Sequence, residues 1–183
     1  MILPIVAYGD PVLKKLAQDI PQDSADLKSL IANMFETMER AQGVGLAAPQ
    51  VGEGVRLFVI DSTPMVEDED ESPIRKAFIN PVLLDEFGDE WGMEEGCLSI
   101  PGIRADIYRP EKVGIKYYDE NWLEVTEELS GYAARIFQHE YDHLEGILFT
   151  DYLSGLKKRL LKTKLMDITK GKVDVDYRMR FIK

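Results

Sequence analysis

His139, Glu140 and His143 fall in the pentapeptide His139-Glu140-Tyr141-Asp142-His143, which uses both histidines of the chain. Residues four apart on an α-helix share a face, so two imidazoles at this spacing can hold one metal ion while the glutamate beside the first reaches the ion's water. The chemistry such a set supports is metal-assisted hydrolysis, in which the ion acidifies the water and the carboxylate takes its proton. The single cysteine, Cys97, lies in Glu94-Glu95-Gly96-Cys97-Leu98-Ser99, beside a small glycine rather than within an aliphatic run. Thiolate and imidazole both suit zinc and ferrous iron, and one cysteine with two histidines leaves a fourth tetrahedral position for water. A lone cysteine is otherwise a small core hydrophobe, and that reading competes here.

These residues must be positioned by a chain of 183 residues, 45% of them hydrophobic, which is enough material for one core; a single domain over residues 1–183 is expected. One cysteine excludes an internal disulfide, and Met1-Ile2-Leu3-Pro4-Ile5-Val6 lacks the basic start and long apolar stretch of a secretory signal, so a cytoplasmic protein is expected. No window approaches the roughly eighteen apolar residues of a membrane span. A net charge of −11 argues against general nucleic-acid affinity, and no specific DNA partner is expected, although residues 156–172 carry seven Lys or Arg and one Asp.

Pro4, Pro11 and Pro21 predict an irregular N-terminal strap. From Ser24 to Gln42, Leu27, Leu30, Ile31, Met34, Phe35 and Met38 recur at helical spacing and predict an amphipathic helix ending at Gly43. The stretch Gly43 to Gly52 reads as a glycine-rich turn, and Arg56 to Asp61 as a buried strand. The five acids Glu67 to Glu71 read as a solvated loop without chemistry. Strands are expected at Lys76–Asn80, Val82–Leu84 and Val113–Tyr118, the last turning through Asp119-Glu120-Asn121 into Leu123–Thr126 as a hairpin. Ser130 is expected to cap the helix that bears the histidines and stops at Gly146. Ser154 should cap a last helix with Leu156, Leu160, Leu161 and Leu165 on one side and the basic residues on the other. Beyond Gly171, Val173, Val175, Tyr177, Met179 and Phe181 alternate with polar residues and predict a half-buried terminal strand.

Three segments taken together, Gly43-Val44-Gly45-Leu46-Ala47-Ala48-Pro49-Gln50, Glu95-Gly96-Cys97-Leu98-Ser99 and Gln138-His139-Glu140-Tyr141-Asp142-His143-Leu144-Glu145-Gly146, closely resemble the bacterial peptide deformylases. The resemblance implies an α+β fold with antiparallel β-sheets packed around a central HExxH-bearing helix, here joined by an N-terminal helix and by a C-terminal helix plus terminal strand. It implies hydrolysis of the N-formyl group from formylmethionyl nascent peptides, with ferrous iron as the usual metal and zinc, nickel or cobalt able to take its place. The metal would sit on Cys97, His139 and His143, and its hydroxide would attack the formyl carbonyl with Glu140 as general base and then acid. The resemblance sets the side-chain amide of Gln50 and the backbone N–H of Leu98 beside the oxyanion.

Tyr132, Arg135 and Ile136 lie seven, four and three residues before His139, so they share the metal-facing side of the helix and either wall a methionine pocket or pack the core. The resemblance favours the pocket and adds Met93 to it, and it gives Val44, Gly45, Glu95 and Gly96 as contacts to the peptide backbone. The basic residues Lys157, Lys158, Arg159, Lys162 and Lys164 form either a ribosome-docking face or a solvated one. Nothing in the resemblance bears on the segment after Gly171.

Three other readings share parts of this set. A zinc endopeptidase also uses HExxH, but its third ligand is a downstream His or Glu, and no histidine follows His143. A Cys97–His139 thiol pair would act without metal and ignore chelators. A non-catalytic metal-binding homologue that engages the ribosome would have no need of a base at Glu140.

Overall fold

A computed structural model describes residues 1–66 and 72–182; the acidic run Glu67 to Glu71 lies outside the described residues. In chain order the elements are β1 (Ile5–Val6), α1 (Leu27–Arg40), β2 (Gly45–Ala47), β3 (Leu57–Asp61), β4 (Arg75–Cys97), β5 (Ile100–Tyr118), β6 (Glu124–Ser130), α2 (Gly131–Leu144), α3 (Gly155–Thr169) and β7 (Met179–Arg180). Strands β2-β3-β4-β5-β6 form one antiparallel sheet in that order, and β1 pairs with β7 in parallel. The fold is α+β, with the histidine-bearing helix α2 packed against β2, β3, β5 and β6.

Helix α1 buries Leu27, Ile31, Met34 and Met38, the stripe its spacing predicts. It ends before Gly43 because Gln42 takes φ 55°, a left-handed conformation that breaks the ladder. The expected glycine-rich turn is in part a strand: Gly45, Leu46 and Ala47 pair with Ile60, Val59 and Phe58, and a 3-10 turn over Ala48–Val51 follows.

Two of the expected strands, Lys76–Asn80 and Val82–Leu84, are one. Strand β4 runs 23 residues and β5 runs 19, well beyond ordinary strand length. Ladders this long bend through bulges, and register shifts occur at Ile79/Val82, Leu83/Asp85, Phe87/Glu90 and Gly96/Cys97. At the first shift Asn80 takes φ 48° and its side chain both accepts from Ile20 N (2.8 Å) and donates to Ile20 O (2.9 Å), tying the bend to the N-terminal strap. The predicted hairpin at Asp119 is present as β5–β6.

Three expectations for the C-terminal half need correction. Ser130 sits at the N-cap position of α2 but its side chain makes no capping bond, because Ser130 is still extended in the sheet opposite Lys112 and the chain swings into the helix at Gly131, φ 58°. Ser154 does cap α3 through Lys157 N, yet Leu156 and Leu160 are 68% and 72% exposed. The buried stripe is Leu165 and Ile168 with half-buried Leu161, since only the C-terminal part of α3 packs on the body. The predicted burial alternation from Val173 to Phe181 is present, but hydrogen-bonded strand is confined to Met179–Arg180, where β1 offers only two partners.

Under α2 lies an aromatic cluster in which Phe58, Phe78 and Phe137 meet at centroid distances of 5.0, 5.1 and 5.3 Å, with Tyr117 beside Phe78. Phe137 is fully buried and is the helix's main apolar anchor to β3 and β4. Phe137→Ala is expected to lower unfolding free energy by about 3–5 kcal/mol, read as a lower denaturant midpoint at constant slope.

Candidate metal centre and active site

The end of β4 and the middle of α2 bring together residues far apart in sequence. Cys97 closes the strand, His139 and His143 project from successive turns of the helix, and the ligand atoms of all three lie within 4.8 Å of one another. Cys97 Sγ is 3.4 Å from His143 Nε2, and the two imidazole rings stand 5.2 Å apart at 75°. The donor set fits a metal ion: one sulfur and two ring nitrogens converge, a set that would suit zinc or ferrous iron and is one short of the four protein ligands of a structural zinc site.

His139 is oriented by a carboxylate that sequence reasoning gave another role. Its Nδ1 lies 2.9 Å from Glu95 Oε2, so Nε2 is the nitrogen turned toward the cysteine and the other histidine. Glu95 also accepts two bonds from Arg109 (Nε to Oε1, 2.7 Å; Nη2 to Oε2, 3.0 Å) and one from Arg135 (Nη1 to Oε1, 3.1 Å). Burial alone would raise the Glu95 pKa, but the His139 and Arg109 hydrogen bonds outweigh it and hold the carboxyl well below the usual carboxylate range. Arg109 reaches on to Asp142 Oδ2 (2.9 Å), which Tyr152 also caps (3.0 Å). Arg109 was absent from the sequence reading, although its position was informative: buried Ile103, Ile107 and Arg109 alternate with exposed Arg104, Asp106 and Tyr108, so Arg109 stands on the core face of β5.

Glu140 is buried, and its Oε2 has no hydrogen-bond partner among the described residues. Burial is the main cause that pushes its pKa up to about 7. Gly45 lies against this carboxylate so closely that a Cβ there would overlap Glu140 Oε1, and a Cβ on Gly43 would come within 2.8 Å of Leu98 Cδ1. The glycines of the first motif therefore let β2 approach the site. Pro49 and the 3-10 turn then present Gln50, which is 1% exposed. Its Oε1 accepts from Ala47 N (2.8 Å), so its amide nitrogen is turned toward Cys97 Sγ and Ser99 Oγ, each 3.3 Å away.

A cavity of about 1120 Å³ opens over these groups. Among the anticipated substrate contacts, Val44, Gly45, Met93, Gly96 and Ile136 line it, as do Gln50 and Leu98. Glu95 and Arg135 line it too, but their charged ends are engaged with each other beneath the surface, and Arg135 also donates to Ile107 O and Trp91 O. Tyr132 is not part of the wall; its ring packs edge to face on Trp91 with centroids 6.0 Å apart. Val173 to Tyr177 form a further side of the cavity that the sequence reading did not anticipate.

Glu95→Gln would leave two buried guanidinium groups short of countercharge, and the expected loss is about 3–5 kcal/mol of stability. A carboxylate whose pKa is depressed in the folded state stabilises above its unfolded pKa and ceases to do so as it is protonated. The stability gap between wild type and variant, followed by denaturant titration, should therefore narrow as pH falls below about 4. Metal affinity should fall about 10- to 100-fold as the carboxylate that orients His139 is replaced by a neutral amide.

The family model for polypeptide deformylase matches residues 2–159. A peptide deformylase of Cytophaga hutchinsonii is 62% identical over 181 residues, 99% of this chain and 98% of that protein. One from Christiangramia forsetii is 59% identical over 189 residues, covering 99% of this chain and 96% of its own length. Among solved structures, the peptide deformylase of Ehrlichia chaffeensis superposes with a TM-score of 0.85 at 33% identity, covering 94% of this chain and 99% of that one. That of Thermotoga maritima gives a TM-score of 0.74 at 43% identity over 84% of this chain and 99% of its own. With the three motifs gathered into one cavity and the match running through all of them, the chain belongs to the polypeptide deformylase family.

Proposed function

We propose that the chain hydrolyses the N-formyl group of formylmethionyl nascent peptides, releasing formate, with Cys97, His139 and His143 as metal ligands and Glu140 as the proton carrier. The observation that carries this reading is the convergence of three ligand atoms within 4.8 Å beside a buried carboxylate, one of whose oxygens has no partner among the described residues. A divalent ion held by these ligands supplies Lewis acidity, which acidifies water and polarises a carbonyl oxygen. We infer ferrous iron as the native ion, with zinc, nickel and cobalt acceptable to the same donors.

Each remaining step falls to the protein's own groups. Glu140 accepts a proton from the attacking water and delivers it to the departing amine as the formyl C–N bond breaks, so one carboxylate serves as base and then acid. Burial raises its pKa, which favours the protonated form it passes through between the two halves of that exchange. The Gln50 amide and the Leu98 N–H donate to the oxyanion, each worth about 3 kcal/mol of transition-state stabilisation. Met93 and Ile136 offer the methionine side chain an apolar wall, and Val44, Gly45 and the backbone of Glu95 and Gly96 line the path of the peptide. Tyr132 acts through packing on Trp91, and Arg135 through its ion pair with Glu95.

We further infer a single functional unit over residues 1–183, since the β1–β7 ladder joins its two ends, and a cytoplasmic setting in contact with the ribosome. No helix among the described residues is long and apolar enough to cross a membrane. The ribosome contact is assigned to Lys157, Lys158, Arg159, Lys162 and Lys164, all exposed or nearly so on α3 alongside the bare Leu156 and Leu160.

Formate release from formyl-Met-Ala-Ser by anaerobically purified protein tests the activity. Glu140→Ala should lower kcat about 10²- to 10⁴-fold while metal content is kept, and chelation should abolish turnover until ferrous iron is returned. An iron-loaded wild type that releases no formate would sink the reading. Reversing the charge of the five α3 residues should weaken co-sedimentation with ribosomes and make the remaining binding less salt-dependent, leaving formate release from the free tripeptide unchanged.

A further inference from the structure

Leu98 and Ser99 form the turn between β4 and β5, so their carbonyls lie outside the main ladder. Both are nevertheless held, by donors from the two ends of the chain. Tyr8 N donates to Ser99 O at 2.8 Å, and the Tyr177 hydroxyl donates to Leu98 O at 2.8 Å. The two donors belong to one assembly, because β1 and β7 are paired: Ile5 N bonds Arg178 O (2.8 Å) and Ala7 N bonds Arg180 O (2.9 Å). Arg180 is seated in turn, with its guanidinium over Gly52 where a Cβ would come within 2.5 Å, and within 3.8 Å of Asp10. Tyr177 is half-buried against the same core cluster as Leu98, and burial raises the pKa of its hydroxyl, which stays a donor. Tyr177 lies beyond the residues that the family model covers.

We propose that Tyr177 is a positioning residue for deformylation: by holding the carbonyl of the Leu98–Ser99 peptide it restricts rotation of the Leu98 backbone, and with it the direction of the Leu98 amide in the preceding peptide, which makes the C-terminal segment part of the catalytic device. This rests on the oxyanion role given to Leu98 above. The peptide between Cys97 and Leu98 joins a metal ligand to that amide, so slack in the turn would disturb both. A hydroxyl that merely packs would leave turnover alone when removed; one that holds the donor would lower turnover without weakening substrate capture.

Tyr177→Phe separates the two, because the ring and its packing remain. Expected for the variant are a kcat about 5- to 10-fold lower, as for one lost hydrogen bond, and a KM within about twofold of wild type. The second readout needs no metal or substrate: amide hydrogen exchange of residues 97–99 in the metal-free protein should accelerate about fivefold or more, with α1 amides unchanged as an internal reference. An unchanged kcat, a rise in KM alone, unchanged exchange at 97–99, or acceleration spread equally over α1 would each overturn the proposal. If wild type itself releases no formate, the deformylase reading fails, whereas the exchange measurement still decides whether Tyr177 holds the turn.

Discussion

The site is organised around a buried carboxylate. Glu95, 5% exposed, is the meeting point of β4, which carries it, β5, which sends Arg109, and α2, which sends both Arg135 and His139. Two guanidinium groups and an imidazole on one carboxylate would be costly to desolvate singly, and the arrangement is tolerable because nearly every charge is matched by geometry: Arg109 is shared between Glu95 and Asp142, while Arg135 lies over the Trp91 ring at 4.4 Å and donates to two carbonyls. Such a cluster has few alternative packings. It fixes the rotation of α2 about its axis and, through Nδ1, the direction in which His139 offers Nε2.

From that fixed helix the other contacts follow by close approach. Gly43 and Gly45 bring β2 against Leu98 and Glu140, where any side chain would push the carboxylate or the turn aside. Gln50 is held at one end by Ala47 N and so presents its amide nitrogen rather than its oxygen to Cys97 and Ser99. The catalytic groups are thereby held by short segments packed on the sheet and on α2, the condition under which their small displacements are avoided.

The chemistry was more legible than the scaffold. An i, i+4 histidine pair carries its own geometry once a helix is assumed, and α1 announced itself through an unbroken apolar stripe from Leu27 to Met38. The long β4–β5 hairpin did not, because the exposed acids Asp85, Glu86, Asp89 and Glu90 break the apolar pattern after Leu84 although they belong to a solvated, bulged ribbon. Missing that ribbon hid the meaning of Glu95: two residues before Cys97 on a strand, it faces the same side as the cysteine, and that period was available in the sequence. The exposure of Leu156 and Leu160 was hidden for another reason. Helical spacing identifies an apolar face, but how far the body of the protein extends beneath it is a tertiary matter.

The pairing of β1 with β7 sets an order of events in the life of the molecule. Ile5 and Val6 meet Met179 and Arg180 in parallel, so this ladder closes almost the whole chain into a single loop. A loop of that length is slow to close, and its far end does not exist until translation has passed residue 180. During synthesis β1 can wait beside the sheet without its partner, and the turn at Leu98 can form with only part of its hydrogen bonding. The hydrogen bonding of the Leu98 turn is thus completed only once β7 has joined β1.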